Sequence, residues 1–159
     1  MLLFVYVDNS NVWIEGRRAS AVTKGLAPSF EDAMEQKIVD PSWTYDFGRL
    51  YELACPKGEQ VGRSLLLGSR PPANDSLWQK ARDADFEVEV FDRNAANKEK
   101  QVDTGLATRL LADSYEHMQP RLPDVMAVLV AGDGDYCASG PGSTTPRNPR
   151  ACRFLGARH

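Results

Sequence analysis

The stretch LLFVYV at residues 2–7, followed directly by DNSN at residues 8–11, decides the fold of this chain. The unbroken apolar run is rich in β-forming residues, a pattern typical of a strand buried on both faces of a parallel sheet. The polar cluster behind it contains residue types that stop strands and cap helices. The pattern therefore predicts a first strand over Leu2–Val7 and a helix or turn over Val12–Arg18.

A second continuous apolar run, VMAVLVA at residues 125–131, ends in the acidic turn GDGDY at residues 132–136. Between the two runs, strand and helix patterns follow in the order β-α-α-β-α-β-α-β, which implies parallel strands joined by right-handed crossovers. We therefore predict an α/β three-layer sandwich with about four parallel strands and helices on both faces. The intervening elements are predicted at Phe30–Lys37, Asp46–Ala54, Val61–Leu67, Asn74–Asp85, Phe86–Phe91 and Val102–Met118.

The longest predicted helix, Val102–Met118, has the clearest helical periodicity in the chain. Its apolar stripe is predicted to comprise Val102, Leu106, Leu110 and Met118, broadened by Leu111 and Tyr115. The stretch at residues 19–60 is a long insertion before the second strand, where it could shape substrate entry. Trp13, just behind the DNSN cluster, is expected to pack in the core or to line a groove.

Length and composition exclude several classes of protein. The chain has 159 residues, 42% hydrophobic and 26% charged, which predicts one globular domain and excludes collagen and coiled coils. No apolar run approaches the roughly 18 residues of a membrane span, and the apolar start lacks the basic region of a signal peptide. Cys55, Cys137 and Cys152 form no CxxC pair, which argues against a disulfide framework or a zinc site. A cytoplasmic location without membrane partners is expected.

Four acidic residues are predicted to meet at one edge of the sheet. In an open parallel sheet, ligands bind beyond the carboxyl ends of the strands. Asp8 ends the first strand, Asp133 and Asp135 follow the last apolar strand, and Asp103 lies in the first turn of the long helix. These two strands are the most apolar, so we expect them to be central and adjacent. Asn11 is expected beside Asp8.

Clustered carboxylates repel one another unless a proton or a cation intervenes. An all-oxygen ligand set favours Mg²⁺ or Mn²⁺ over zinc, and such a site suits hydrolysis of phosphodiester bonds by a metal-activated water. Phosphate contacts are expected from Lys98, Lys100 and Arg70. Each motif alone has a simpler interpretation: DNSN as a helix cap, Asp103 as a favourable charge at a helix start, and GDGD as a turn.

Three motifs in order resemble the NYN family of PIN-like, LabA-like nucleases. They are D-x-x-N at residues 8–11, K-x-V-D at residues 100–103 and G-D-x-D-Y at residues 132–136. The resemblance spans residues 1–136 and implies a PIN-like Rossmannoid fold, a divalent-metal site and ribonuclease activity. It implies that the metal-binding and catalytic acids are Asp8, Asp103, Asp133 and Asp135, with Asn11 as an auxiliary catalytic residue.

The chain departs from the family pattern after Tyr136. A member of the family would continue with a further helix and strand, whereas residues 137–159 hold four arginines, no acid and no hydrophobic period. We interpret 1–136 as a nuclease domain that is incomplete at its C-terminus, and 137–159 as a disordered basic tail. The tail is either an out-of-frame or degraded gene end or an authentic RNA-binding segment. A bare edge on the last strand would favour reduced activity or a homodimer.

Three functions compete at this point. The first is a Mg²⁺- or Mn²⁺-dependent ribonuclease that acts on single-stranded RNA and releases a 5′-phosphate. The second is a catalytically impaired PIN-like module that binds RNA or protein. The third is a nucleotide-binding Rossmann protein, which ranks last because no GxGxxG motif or P-loop follows the first strand.

Overall fold

The computed structural model of the chain describes residues 2–69, 75–91, 100–117, 125–131 and 152–155, with backbone alone at 100–103, 117 and 152–155. Its sheet has the strand order β3-β2-β1-β4-β5, with β1 in the centre. The elements in chain order are β1 (Leu2–Asp8), α1 (Asn9–Thr23), α2 (Phe30–Glu35), α3 (Phe47–Ala54), β2 (Gln60–Ser69), α4 (Asp75–Asp83), β3 (Glu87–Phe91), α5 (Lys100–His117), β4 (Val125–Val130) and β5 (Cys152–Leu155).

The first four strands are all parallel, as the sequence pattern predicts. β1 pairs with β2 on one side and with β4 on the other, and β2 pairs with β3. The two most apolar strands, β1 and β4, are therefore central and adjacent, which confirms that expectation. The chain moves outward from β1 through β2 to β3 and then returns to the opposite side of β1 for β4.

Side chains of β1 alternate between two apolar layers, which makes the fold a three-layer sandwich. Leu3, Val5 and Val7 pack in a layer with α3 and α4 residues such as Phe47 and Trp78. Phe4 and Tyr6 face the opposite layer, where Leu106 of α5 is fully buried. Burial on both faces is the reason why β1 reads as an unbroken apolar run rather than as an alternating one.

The helix boundaries follow from capping. Asp8, Ser29 and Asp46 each accept a hydrogen bond from the backbone N–H three residues on, so that α1, α2 and α3 begin directly behind them. The prediction for α1 was too short at both ends, because the cap at Asp8 allows helical structure from Asn9 and nothing interrupts it before Thr23. The start of α3 behind Asp46 was predicted correctly.

The edge of β4 is not bare along its whole length. Cys152–Leu155 pair antiparallel with it, from Met126 opposite Leu155 to Leu129 opposite Cys152. These four residues form a paired strand within the stretch that was predicted to be a disordered tail. The predicted homodimer stays a prediction. Average composition missed a short extended segment, since a free strand edge offers backbone hydrogen bonds to any segment that can reach it.

Within the described helices, none is both long enough and apolar enough to cross a membrane.

Candidate functional site

Asp8 lies at the carboxyl end of the central strand. Its side chain is buried, with the residue 1% exposed. One carboxylate oxygen accepts a hydrogen bond from the backbone N–H of Asn11 at 3.1 Å, and the other accepts one from the Asn11 side-chain amide at 2.9 Å. Asp8 therefore caps α1, as its simpler interpretation predicts, and it is also held in a defined orientation by Asn11.

The sheet topology makes this end of β1 a place where a ligand can bind. The chain adds β2 and β3 on one side of β1 and then adds β4 on the other side. In open α/β sheets, a crevice forms at the carboxyl ends of two neighbouring strands where the strand order switches in this way. Val7 pairs with Val130, so β4 ends level with the end of β1. The motif at residues 132–136 follows Ala131 immediately along the chain.

The first turn of α5 begins at the same edge of the sheet. Gly105 lies so close to the sheet that a Cβ atom on it would be 2.6 Å from Cζ of Phe91 and 3.4 Å from Cδ2 of Leu67. Leu67 is the register partner of Asp8. The backbone of Asp103 precedes Gly105 by two residues, about 3 Å along a helix axis. The helix then runs back across the face of the sheet, where Asp113 meets Arg63.

The predicted site residues divide into three groups. Asp8 and Asn11 are brought together by the structure. The backbones of Asp103 and Lys100 lie in the first turn of α5, but the structure does not describe their side chains. Four predicted residues lie outside the described part of the chain: Asp133, Asp135, Lys98 and Arg70.

The donor set at Asp8 suits a hard cation. A carboxylate oxygen can accept more than one interaction, and a buried carboxylate is stabilised by a nearby cation. Among the described side chains, no three His, Cys, Asp or Glu residues converge to hold a metal. Asp8 therefore fits as one oxygen ligand, and the other ligands would have to come from the three remaining acids predicted at this edge.

An aromatic cluster that the sequence did not predict lies beside α1. Trp13 and Tyr45 stack with ring centroids 5.7 Å apart and planes within 6°. Trp43 meets both rings edge-on, and Phe47 stacks on Tyr45 at 4.5 Å. The alternating aromatics W-T-Y-D-F at residues 43–47 were the available signal, but they lie in the stretch that lacked a clear helix or strand pattern.

Asp40 attaches this aromatic segment to α1. Its buried carboxylate accepts hydrogen bonds from Ser20 Oγ at 2.6 Å and from Ser42 Oγ at 2.7 Å, and it pairs with Lys24 Nζ at 2.7 Å. Its carbonyl oxygen accepts a hydrogen bond from Arg17 Nε. These partners, Lys24 first, hold the pKa of Asp40 well below its usual range. The carboxylate is thus part of the folded structure as an anion.

The low pKa of Asp40 predicts a loss of stability in acid. Because the folded form binds the proton more weakly than the unfolded chain does, Asp40 stabilises the fold fully above pH about 4 and loses that effect as the pH falls further. We expect Asp40→Asn to lower the melting temperature at neutral pH and to narrow the gap to wild type below pH about 4. Melting curves of both proteins across this range measure the gap, and a gap independent of pH would contradict the assignment.

In comparisons with known proteins, no family model, no curated protein and no solved structure matches this chain. The functional assignment therefore depends on the chain's own motifs and on the placement of Asp8.

Proposed function

We propose that this chain is a Mg²⁺- or Mn²⁺-dependent ribonuclease of the NYN type that hydrolyses single-stranded RNA. The observation that carries the proposal is the placement of Asp8. It is a buried carboxylate, oriented by Asn11, at the carboxyl end of the central strand, next to the point where the strand order switches from one side of β1 to the other. In support of the proposal, β1 and β4 end at this edge of the sheet and the first turn of α5 lies at it; along the sequence, one of the three motifs begins at the end of β1, one forms that first turn and one follows β4. Their order along the chain is that of the family they resemble.

In this proposal the metal ion is held by Asp8 together with Asp103, Asp133 and Asp135. When bound, the ion supplies a water activated for attack and offsets negative charge on the phosphate. Asn11 donates its amide hydrogen bond to Asp8 and so fixes the orientation of that carboxylate.

We assign contacts with the RNA phosphates to three basic residues. Lys100 occupies the first turn of α5, Lys98 precedes it by two residues, and Arg70 directly follows β2 in the sequence. Cys55 is buried as a free thiol, which is consistent with the proposed cytoplasmic location.

Removal of divalent metal is expected to abolish RNA cleavage. Hydrolysis of a fluorescein-labelled single-stranded RNA should stop when the protein is treated with EDTA, and it should return when Mn²⁺ or Mg²⁺ is added in excess of the chelator. Product separation on a denaturing gel measures the rate and shows whether a 5′-phosphate is released. A rate unchanged by EDTA would rule out the proposed chemistry, and RNA binding without any turnover would favour a PIN-like binding module instead.

A further inference from the structure

Three polar side chains meet in the layer between α5 and the sheet. The carboxylate of Asp113, on α5, accepts a hydrogen bond from the hydroxyl of Tyr6 on β1 at 2.6 Å. It also accepts hydrogen bonds from Nη1 of Arg63 on β2 at 2.7 and 2.8 Å. Tyr6 and Asp113 are both buried. One carboxylate of the helix therefore joins α5 to two neighbouring strands of the sheet.

A second close contact between α5 and β2 lies nearer the start of the helix. Gly105 approaches the sheet so closely that a Cβ atom on it would be 3.4 Å from Cδ2 of Leu67. Gly105 and Asp113 are eight residues apart, about 12 Å along a helix at ~1.5 Å per residue. Leu67 and Arg63 are four residues apart, about 13 Å along a strand at ~3.3 Å per residue. The two lengths agree, so α5 runs antiparallel to β2 with both contacts in register.

Hydrogen bonds hold this register more strictly than apolar contacts do. Leu106 and Leu110 of α5 pack in the apolar layer of the sheet, and such contacts are not directional. A shift of α5 by one residue would turn the helix by about 100° and move it by about 1.5 Å. The Asp113 carboxylate and the Tyr6 hydroxyl would then be buried without each other, which destabilises more than a hydrogen bond stabilises. The three polar side chains thus disfavour every neighbouring register.

We infer that Tyr6, Arg63 and Asp113 are positioning residues of the proposed metal site. They fix α5 in one register along β1 and β2. This register places the first turn of α5, which contains Asp103, at the edge of the sheet where Asp8 ends β1. The inference rests on the proposed nuclease function and gives these residues a part in metal binding, because groups that orient metal ligands change the affinity for the metal without contacting it.

Replacement of all three polar residues by apolar ones separates positioning from stability. In the variant Tyr6→Phe/Arg63→Met/Asp113→Leu no member of the network is left buried without its partner, and the fold should be as stable as wild type or more stable. We expect its Kd for Mn²⁺, measured by electron paramagnetic resonance of the free ion, to rise about 10-fold or more. Tyr6→Phe alone removes one hydrogen bond and should raise this Kd by a smaller factor.

Leu110→Ala is the matched control, since Leu110 lies on the same helix and packs in the apolar layer without a hydrogen bond from its side chain. It should lower the melting temperature and leave the Kd for Mn²⁺ unchanged at a temperature where the protein is folded. If Leu110→Ala weakened Mn²⁺ binding as much as Tyr6→Phe does, loss of stability alone would account for the effect, and the positioning role would be wrong.

Asp8→Asn in the same Mn²⁺ titration separates this inference from the nuclease proposal. If Asp8→Asn weakens Mn²⁺ binding while the triple variant and Tyr6→Phe bind the ion as tightly as wild type, the metal site stands and the positioning role is overturned. If the wild type binds no Mn²⁺, or Asp8→Asn binds it equally well, the proposed metal site is itself wrong and the inference is lost with it.

Discussion

Replacement of Asp8 by asparagine is expected to lower the rate of RNA hydrolysis by about 100-fold or more, the effect of losing a charged group that stabilises the reacting centre. The change removes one negative charge and keeps the shape of the side chain. Asparagine caps helices as well as aspartate does, so α1 should still begin behind residue 8. Initial rates on labelled RNA at saturating Mn²⁺ measure the effect.

Stability measurements distinguish loss of a catalytic group from loss of the fold. Asp8→Asn keeps the cap on α1 and loses the hydrogen bond from the Asn11 side-chain amide, so the free energy of unfolding of the metal-free protein should fall by no more than about 1–2 kcal/mol. Asp46→Asn is the matched control, since Asp46 caps α3 through a hydrogen bond from the Arg49 backbone N–H at 2.9 Å. It should retain wild-type activity. An Asp8→Asn protein that cleaves RNA as fast as wild type would remove Asp8 from the active site.

The sheet could be predicted from the sequence because its central strands are buried on both faces. In β1, Val5 faces one layer and Tyr6 the other, and this double burial leaves an unbroken apolar signal in the sequence. The position of Asp8 followed from the same signal, since a polar cluster directly behind such a run marks the end of a strand. Residues near a central strand end are therefore the most predictable part of the site.

The buried face of α5 shows where sequence reasoning failed. The predicted stripe was broadened with Leu111 and Tyr115, but these side chains are 70% and 82% exposed. Asp113 lies in the stripe instead, seven residues after the fully buried Leu106. Helical spacing alone would have placed Asp113 on the buried face of α5, but a charged residue is not expected on a buried face. Asp113 can be buried because it pairs with Arg63 of β2. A single sequence does not show which residues of α5 and β2 become neighbours.

Tyr45 was missed for a related reason. The segment that carries it has no helical or strand period, and its position depends on the contacts of Asp40 with Ser20, Ser42 and Lys24. Such contacts join residues that are distant in sequence and carry no spacing rule. The position of Asp8, set by regular elements, could therefore be predicted, whereas the aromatic cluster, which a loop builds, could not.

Replacement of Asp113 by alanine is expected to cause a large loss of stability. The Asp113 carboxylate accepts hydrogen bonds from the Tyr6 hydroxyl at 2.6 Å and from Nη1 of Arg63 at 2.7 and 2.8 Å. Tyr6 is fully buried and Asp113 is 4% exposed, so removal of the carboxylate leaves a buried donor unpaired and a guanidinium without its main partner. We expect the free energy of unfolding to fall by about 3–5 kcal/mol.

Urea denaturation of two further variants tests whether this loss comes from the network. Tyr6→Phe keeps the buried ring and removes one hydrogen bond, while Arg63 still pairs with Asp113, so a smaller loss of about 1–2 kcal/mol is expected. Arg109 lies on the same helix as Asp113 and pairs with Glu89 of β3 at the surface. Arg109→Ala should change stability little, because solvent screens exposed ion pairs. If Asp113→Ala were no more destabilising than Arg109→Ala, the buried network would contribute nothing to the packing of α5, and apolar contacts such as those of Leu106 would have to account for it alone.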